Sequence, residues 1–240
     1  MIVRRRPPNL RPWFWELVGR SWLLLARIKF RVRVRWHGQP ELGASVIICA
    51  KHASAFDIAL LGVLSKGRTK RRPYFQMGSF IGYRVFGRIR PFMRALGGFE
   101  VMRPKEARTL TRMPGWDRRA ALEHMRDVNA GAEEIRRELL MSERVLAFFP
   151  EGTRDDAQIL PLVSKLELNS ALAAAATGAR VIAWPVTVAM GEKRLRRRMD
   201  VDFGVPFDLD PSAPAQDILD RVGQAWDETW RPPPEVDASV

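Results

Sequence analysis

The sequence predicts an α/β domain built on a mixed, largely parallel sheet flanked by helices. Three observations support that fold. Residues 45–50 (SVIICA), 145–149 (VLAFF) and 181–188 (VIAWPVTV) are short, continuous apolar runs, as expected of strands buried on both faces. Helical periodicity fits residues 57–65, 118–128, 132–141 and 166–177, the last ending at Gly178 as a C-terminal cap. Strands that alternate with helices in this way build parallel or mixed sheets. A chain of 240 residues, 46% of them hydrophobic, also has the apolar content for a continuous core, which excludes a disordered polybasic tail.

Taken in order, the elements begin with charge. The formal net charge of +13 is concentrated: residues 1–40 carry ten Lys/Arg against Glu16, and residues 66–94 carry nine with no acid. Such blocks call for a polyanionic partner, nucleic acid or an anionic membrane surface. After Arg4-Arg5-Arg6, Pro12 stands where a proline starts a helix, and residues 13–28 (WFWELVGRSWLLLARI) follow. Glu16, Arg20 and Arg27 fall near one side of that helix, with Phe14, Trp15, Val18, Trp22 and Leu25 on the rest. Its longest uncharged stretch, 21–26, is far short of the roughly 20 apolar residues that span a bilayer. The reading is an N-terminal amphipathic membrane-interface helix, tryptophans at headgroup depth and arginines toward phosphates. Residues 29–36 (KFRVRVRW) alternate cation and apolar residue, a strand with one strongly basic face. No nucleic-acid-binding motif accompanies the charge, so no nucleic acid partner is expected. The second basic block is interleaved with Tyr74, Phe75, Phe80, Tyr83, Phe86 and Phe92, a mixture suited to headgroups or to a groove for a phosphate. Residues 104–116 read as a loop, and 232–234 (PPP) as a frayed tail. The expected organisation is a basic membrane-binding segment over 1–36, an α/β domain over 37–210 and an acidic C-terminal helix and tail over 211–240.

His52 directly follows the first buried run, and Asp57 comes five residues later as a turn enters a helix. Ligands in open α/β sheets bind beyond the carboxyl ends of strands. There a carboxylate orients an imidazole and stabilises the imidazolium formed when it takes a proton. The second buried run is followed in the same way by Phe149-Pro150-Glu151-Gly152-Thr153-Arg154. Together the H-x4-D and F-P-E-G-T-R motifs resemble those of the glycerolipid acyltransferase family, typified by 1-acylglycerol-3-phosphate acyltransferases. Gly97-Gly98-Phe99-Glu100-Val101-Met102-Arg103 is similar to the family's second motif, and the apolar strand holding Pro185 to its fourth. The resemblance covers about residues 45–190.

That resemblance implies acyl transfer from acyl-CoA or acyl-carrier protein to the free hydroxyl of 1-acylglycerol-3-phosphate, giving phosphatidic acid. His52 would be the general base and Asp57 its orienter. Arg103, Glu151, Gly152, Thr153, Arg154 and Lys165 would form the substrate-binding set. Neither metal nor cofactor is required beyond the thioester co-substrate. The implied setting is peripheral and monotopic, on the cytoplasmic face of a membrane. The alternatives are a different lysolipid or amino-acid-lipid acceptor, or a silent protein that binds anionic membranes. Lys51 stands where the family usually has asparagine, Asp155 where serine is common, and residues about 104–128 read as an insertion. Cys49 reads as an inert core thiol, His37 as a turn residue and His124 as a surface residue. Ser79 lacks the G-x-S-x-G setting of a hydrolase nucleophile.

Overall fold

The structure is a computed structural model describing residues 7–54, 56–78, 84–191 and 197–230, with backbone alone over 84–89. Ser79, Phe80, Tyr83, the Phe86 side chain, Arg4 to Arg6 and the tail around 232–234 lie outside the described residues. The chain runs α1 (Pro12–Lys29), β1 (Phe30–Trp36), β2 (Ser45–Ala50), α2 (Asp57–Thr69), β3 (Pro73–Gly78), α3 (Arg84–Ala95), β4 (Gly98–Val101), α4 (Pro104–Leu110) and α5 (Arg118–Met141). It continues with β5 (Val145–Phe148), α6 (Leu166–Ala176), β6 (Val181–Met190), β7 (Arg197–Phe203), β8 (Phe207–Asp208) and α7 (Ala215–Thr229).

The strands form one sheet in the order β1-β7-β6-β2-β5-β3-β4, with β8 also on β6. Pairing is parallel except where β6 meets β7 and β8, so the α/β class is as expected. β2, β5 and β6 are buried along their whole lengths because helices cover both faces. One face packs Ile47, Cys49, Leu146 and Phe148 against α5, α6 and α7; the other packs Val46, Ile48 and Ala147 against Ala26 of α1 and Leu60 and Leu61 of α2. Pro185 sits mid-sheet, where its missing N–H matters little: β7 pairs with 186–190 of β6 and β8 with 182–183, so Pro185 falls in the gap.

Several sequence expectations are corrected. Residues 104–116 are not all loop, because α4 begins at Pro104, a residue that suits the first helical position. The segments 118–128 and 132–141 are one helix, α5, whose Gly131 is buried and so reads as a break only in sequence. Its Asn129 pins the chain after β4, accepting from the Met102 N–H (2.8 Å) and donating to the Met102 carbonyl (3.0 Å). On either side of the α/β domain expected over 37–210, β1 pairs with β7, and α7 buries Ile218, Leu219, Val222 and Trp226 in the core.

The basic strand is partly neutralised across the sheet. Arg33 and Arg35 lie opposite Asp200 and Asp202, and Arg35 grips Asp202 with Nε at 2.5 Å and Nη2 at 2.8 Å. His37 is also within 3.4 Å of Asp202. On α1, Trp15 is buried against α2 and Trp22 is half-buried on Phe56, so neither stands at the surface. Glu16 docks the helix by accepting from Lys66 and from Arg72 (2.7 Å). The outward stripe is instead Trp13, Leu17, Leu24, Leu25 and Ile28, all at least half exposed, with Arg20, Arg27 and Lys29 beside it. Among the described residues, no helix is long and apolar enough to cross a membrane.

Candidate active site

β2, β5, β3 and β4 run parallel, so the segments leaving their carboxyl ends converge on one crevice. A cavity of about 620 Å³ lies there, with His52, Arg103, Gly152, Thr153 and Arg154 on its wall. His52 leaves β2 with its ring stacked on Phe149, centroids 4.0 Å apart. Its Nδ1 is 3.1 Å from Asp57 Oδ2. An ionised carboxylate only accepts, so Nδ1 carries the proton and Nε2 is left as the basic nitrogen.

Asp57 is fully buried at the start of α2 and saturated with donors. Oδ2 also accepts from the Ala53 and Ser54 N–H groups, both at 2.7 Å, and Oδ1 from the Ser54 hydroxyl at 2.7 Å. These bonds draw His52, Ala53 and Ser54 around the carboxylate, so one side chain both shapes the turn and aims the imidazole.

Glu151 turns away from the cavity and is buried. Oε2 accepts from the His52 N–H (3.1 Å), and Oε1 accepts from the Leu160 N–H (2.7 Å) with Lys51 Nζ 3.7 Å away. Lys51 is itself buried and donates to the Asp155 carbonyl at 2.5 Å; the Asp155 N–H donates to the His52 carbonyl at 2.9 Å. Burial pulls the Lys51 ammonium below the usual lysine range, against the opposing pull of Glu151. The Glu151 carboxylate thus ties the two motif turns together, with no place in the cavity lining. Gly152 takes φ +68°, a left-handed turn position that suits glycine.

Arg103 lines the cavity, but most of its donors are committed. Nε (2.8 Å) and Nη2 bond Glu106 Oε1, while Nη1 reaches the Gly152 carbonyl at 3.1 Å. It therefore clamps the end of β4 to the turn after β5. The clamp passes over Gly78, where an added Cβ would sit 2.6 Å from Arg103 Nη2. Arg154 is exposed on the cavity wall with Thr153 beside it. Lys165, at the start of α6, is exposed and lies outside the cavity lining.

Among the described residues, the polar lining also includes Lys105, Gln76 and Glu167, which escaped the sequence reading. Gln76 donates to Glu167 and accepts from buried Arg136 at 2.9 Å, linking a buried acid and base through an amide. The one signal for Gln76 was its place two residues before Gly78 on an alternating strand. Cys49 is buried in the core, and burial pushes its thiol far above the usual range, so it holds no thiolate. His124 is half-buried against Trp116, away from His52.

A model of the acyltransferase family matches residues 31–189. Among solved structures, the 1-acyl-sn-glycerophosphate (LPA) acyltransferase PlsC from Thermotoga maritima is similar at 18% identity and a TM-score of 0.49, over 90% of this chain and 81% of that one. No curated protein sequence matches the chain.

Proposed function

Because the chain belongs to the acyltransferase family, we propose that it transfers an acyl group from a thioester to the free hydroxyl of 1-acylglycerol-3-phosphate, giving phosphatidic acid. The observation that carries the proposal is His52 on the cavity wall with buried Asp57 behind it, Nδ1 bound and Nε2 left basic.

A lipid hydroxyl is a poor nucleophile until its proton is removed during attack. His52 Nε2 takes that proton as the oxygen adds to the thioester carbonyl. Asp57, 3.1 Å from Nδ1, stabilises the imidazolium that results. Collapse of the tetrahedral intermediate breaks the carbon–sulfur bond, and the imidazolium returns its proton to the leaving thiolate. The hydroxyl attacks directly, so no acyl group is carried by the protein. Arg154 and Thr153 are the groups best exposed to meet the acceptor's phosphate. Glu151, Lys51 and Arg103 hold the turns and act through them.

The same reading places the protein on an anionic membrane surface, at the cytoplasmic face where thioesters are available. The exposed stripe of α1, aliphatic with one tryptophan and flanked by cations, supports that setting. His52→Ala tests the function: turnover of acyl thioester and lysolipid should vanish while vesicle binding persists. Undiminished turnover would sink the assignment of the base.

A further inference from the structure

The cavity wall continues outward along a part of the chain that the transfer chemistry leaves unused. Lys105 lines the cavity from the first turn of α4. Arg108 and Arg112 follow it at i+3 and i+7, a spacing that keeps successive side chains on one side of a helix. All three are exposed. Thr111, which follows α4, keeps helical dihedrals (φ −63°, ψ −12°), so the row runs on past Leu110. At 1.5 Å per residue, Arg112 lies about 10 Å further along than Lys105.

The acid on α4 and those at the cap and in the first two turns of α5 are engaged elsewhere. Glu106, on α4, is buried and turned onto Arg103. Asp117 caps α5 by accepting from the Ala120 N–H at 2.7 Å, and Glu123 pairs with Arg119 at 2.9 Å. Arg90, another cation of this side, is taken by Glu100. What α4 and the following turn present to solvent is therefore a line of positive charge that begins inside the cavity and ends outside it.

We infer that Lys105, Arg108 and Arg112 bind the nucleotide phosphates of a coenzyme A thioester, which makes acyl-CoA the donor. The inference rests on the proposed acyl transfer. With the thioester carbon beside His52, the pantetheine arm leads out along the cavity, so that the diphosphate comes to lie at its mouth by Lys105 and the ribose phosphate beyond it. Cations set at increasing distance along one row match anionic groups spaced along one ligand. Guanidinium groups suit phosphate oxygens in particular.

The test is equilibrium binding to the full chain in detergent without lipid, with coenzyme A and pantetheine as the two ligands. In an Arg108→Gln/Arg112→Gln variant the Kd for coenzyme A should rise about three- to tenfold, as expected for two exposed charge contacts, with a flatter salt dependence. The Kd for pantetheine should not change. Equal coenzyme A binding in both proteins would overturn the inference. So would a parallel loss for pantetheine, which would mean that the arm is merely structural. Binding of both proteins to acyl-carrier protein and, separately, to anionic vesicles is measured as well: a loss confined to acyl-carrier protein would assign the row to an acidic protein, and a loss confined to vesicles would assign it to headgroups; either overturns the inference. Turnover measured alongside reads the acyl-transfer proposal separately, since coenzyme A that binds without any transfer contradicts only that proposal.

Discussion

Replacing Asp57 by Asn separates the carboxylate's charge from its shape. The three N–H donors converge on Oδ2, while Oδ1 meets only the Ser54 hydroxyl, whose proton can rotate. An asparagine therefore keeps its oxygen at the Oδ2 position and points its amide nitrogen at Ser54. The turn survives, and Nδ1 keeps its proton. What is lost is the full charge facing the imidazolium. At an effective dielectric of about 20, unit charges 3.1 Å apart interact by about 5 kcal/mol. The amide dipole recovers part of this, which leaves about 3–4 kcal/mol of transition-state stabilisation, or a 10²- to 10³-fold loss of kcat. The assay is release of free thiol from an acyl thioester at saturating lysolipid, with thermal unfolding measured in parallel. Tm should fall by no more than about 4 °C, equivalent to about 1 kcal/mol in a chain of this size. A variant within tenfold of the wild type would refute proton abstraction through a His52 imidazolium, and a loss explained by unfolding would refute the claim that the turn survives the substitution.

Three further outcomes follow from the same geometry. Leu17→Ser/Leu24→Ser/Ile28→Ser alters only exposed positions of α1, so it should weaken co-sedimentation with anionic vesicles about tenfold or more while the fold persists; unchanged sedimentation would remove α1 as the docking face. Gly78→Ala displaces the far end of Arg103 and loosens its hold on Gly152; kcat should fall roughly five- to tenfold at a stability cost under about 1 kcal/mol, and unaltered kinetics would dismiss the clamp. Hydrogen bonding from Lys66, then from Arg72, holds the Glu16 carboxyl below the usual glutamate range. Its stabilisation is therefore present above the ordinary value of 4.5 and is lost as pH falls through the lowered folded value. Glu16→Gln should cost up to about 1 kcal/mol in denaturant unfolding at pH 7, since the pair is partly exposed, and the two proteins should converge in acid.

How much was legible in the sequence depended on how local each signal was. His52, Asp57 and the 149–154 turn could be read because each depends on a strand end and a few following residues. The buried strands were visible as unbroken apolar runs for the same reason. Glu151 was visible as a motif member, but its place as a tie between turns depends on Lys51 and Leu160, and Lys51 is a hundred residues away along the chain. Arg103 carries a similar lesson. Its partner Glu106 lies in a stretch that Pro104, Pro114 and Gly115 made look like loop, although Pro104 begins a helix. The alternation in β1 announced a strand, but Asp200 and Asp202, which offset its arginines, come from β7 and are joined to it only by the fold. Trp15 belongs to the core because α2 packs against it, which the helical wheel alone does not reveal.

Whether His52 drives acyl transfer to a lysolipid hydroxyl is decided by product analysis. Purified protein and its His52→Ala variant would each be incubated with acyl-CoA and a panel of lysolipids, and the products identified by mass spectrometry. The wild type should yield phosphatidic acid from 1-acylglycerol-3-phosphate, and His52→Ala none above background. Diacyl product formed equally by both proteins, or by neither with any acceptor, would contradict that expectation.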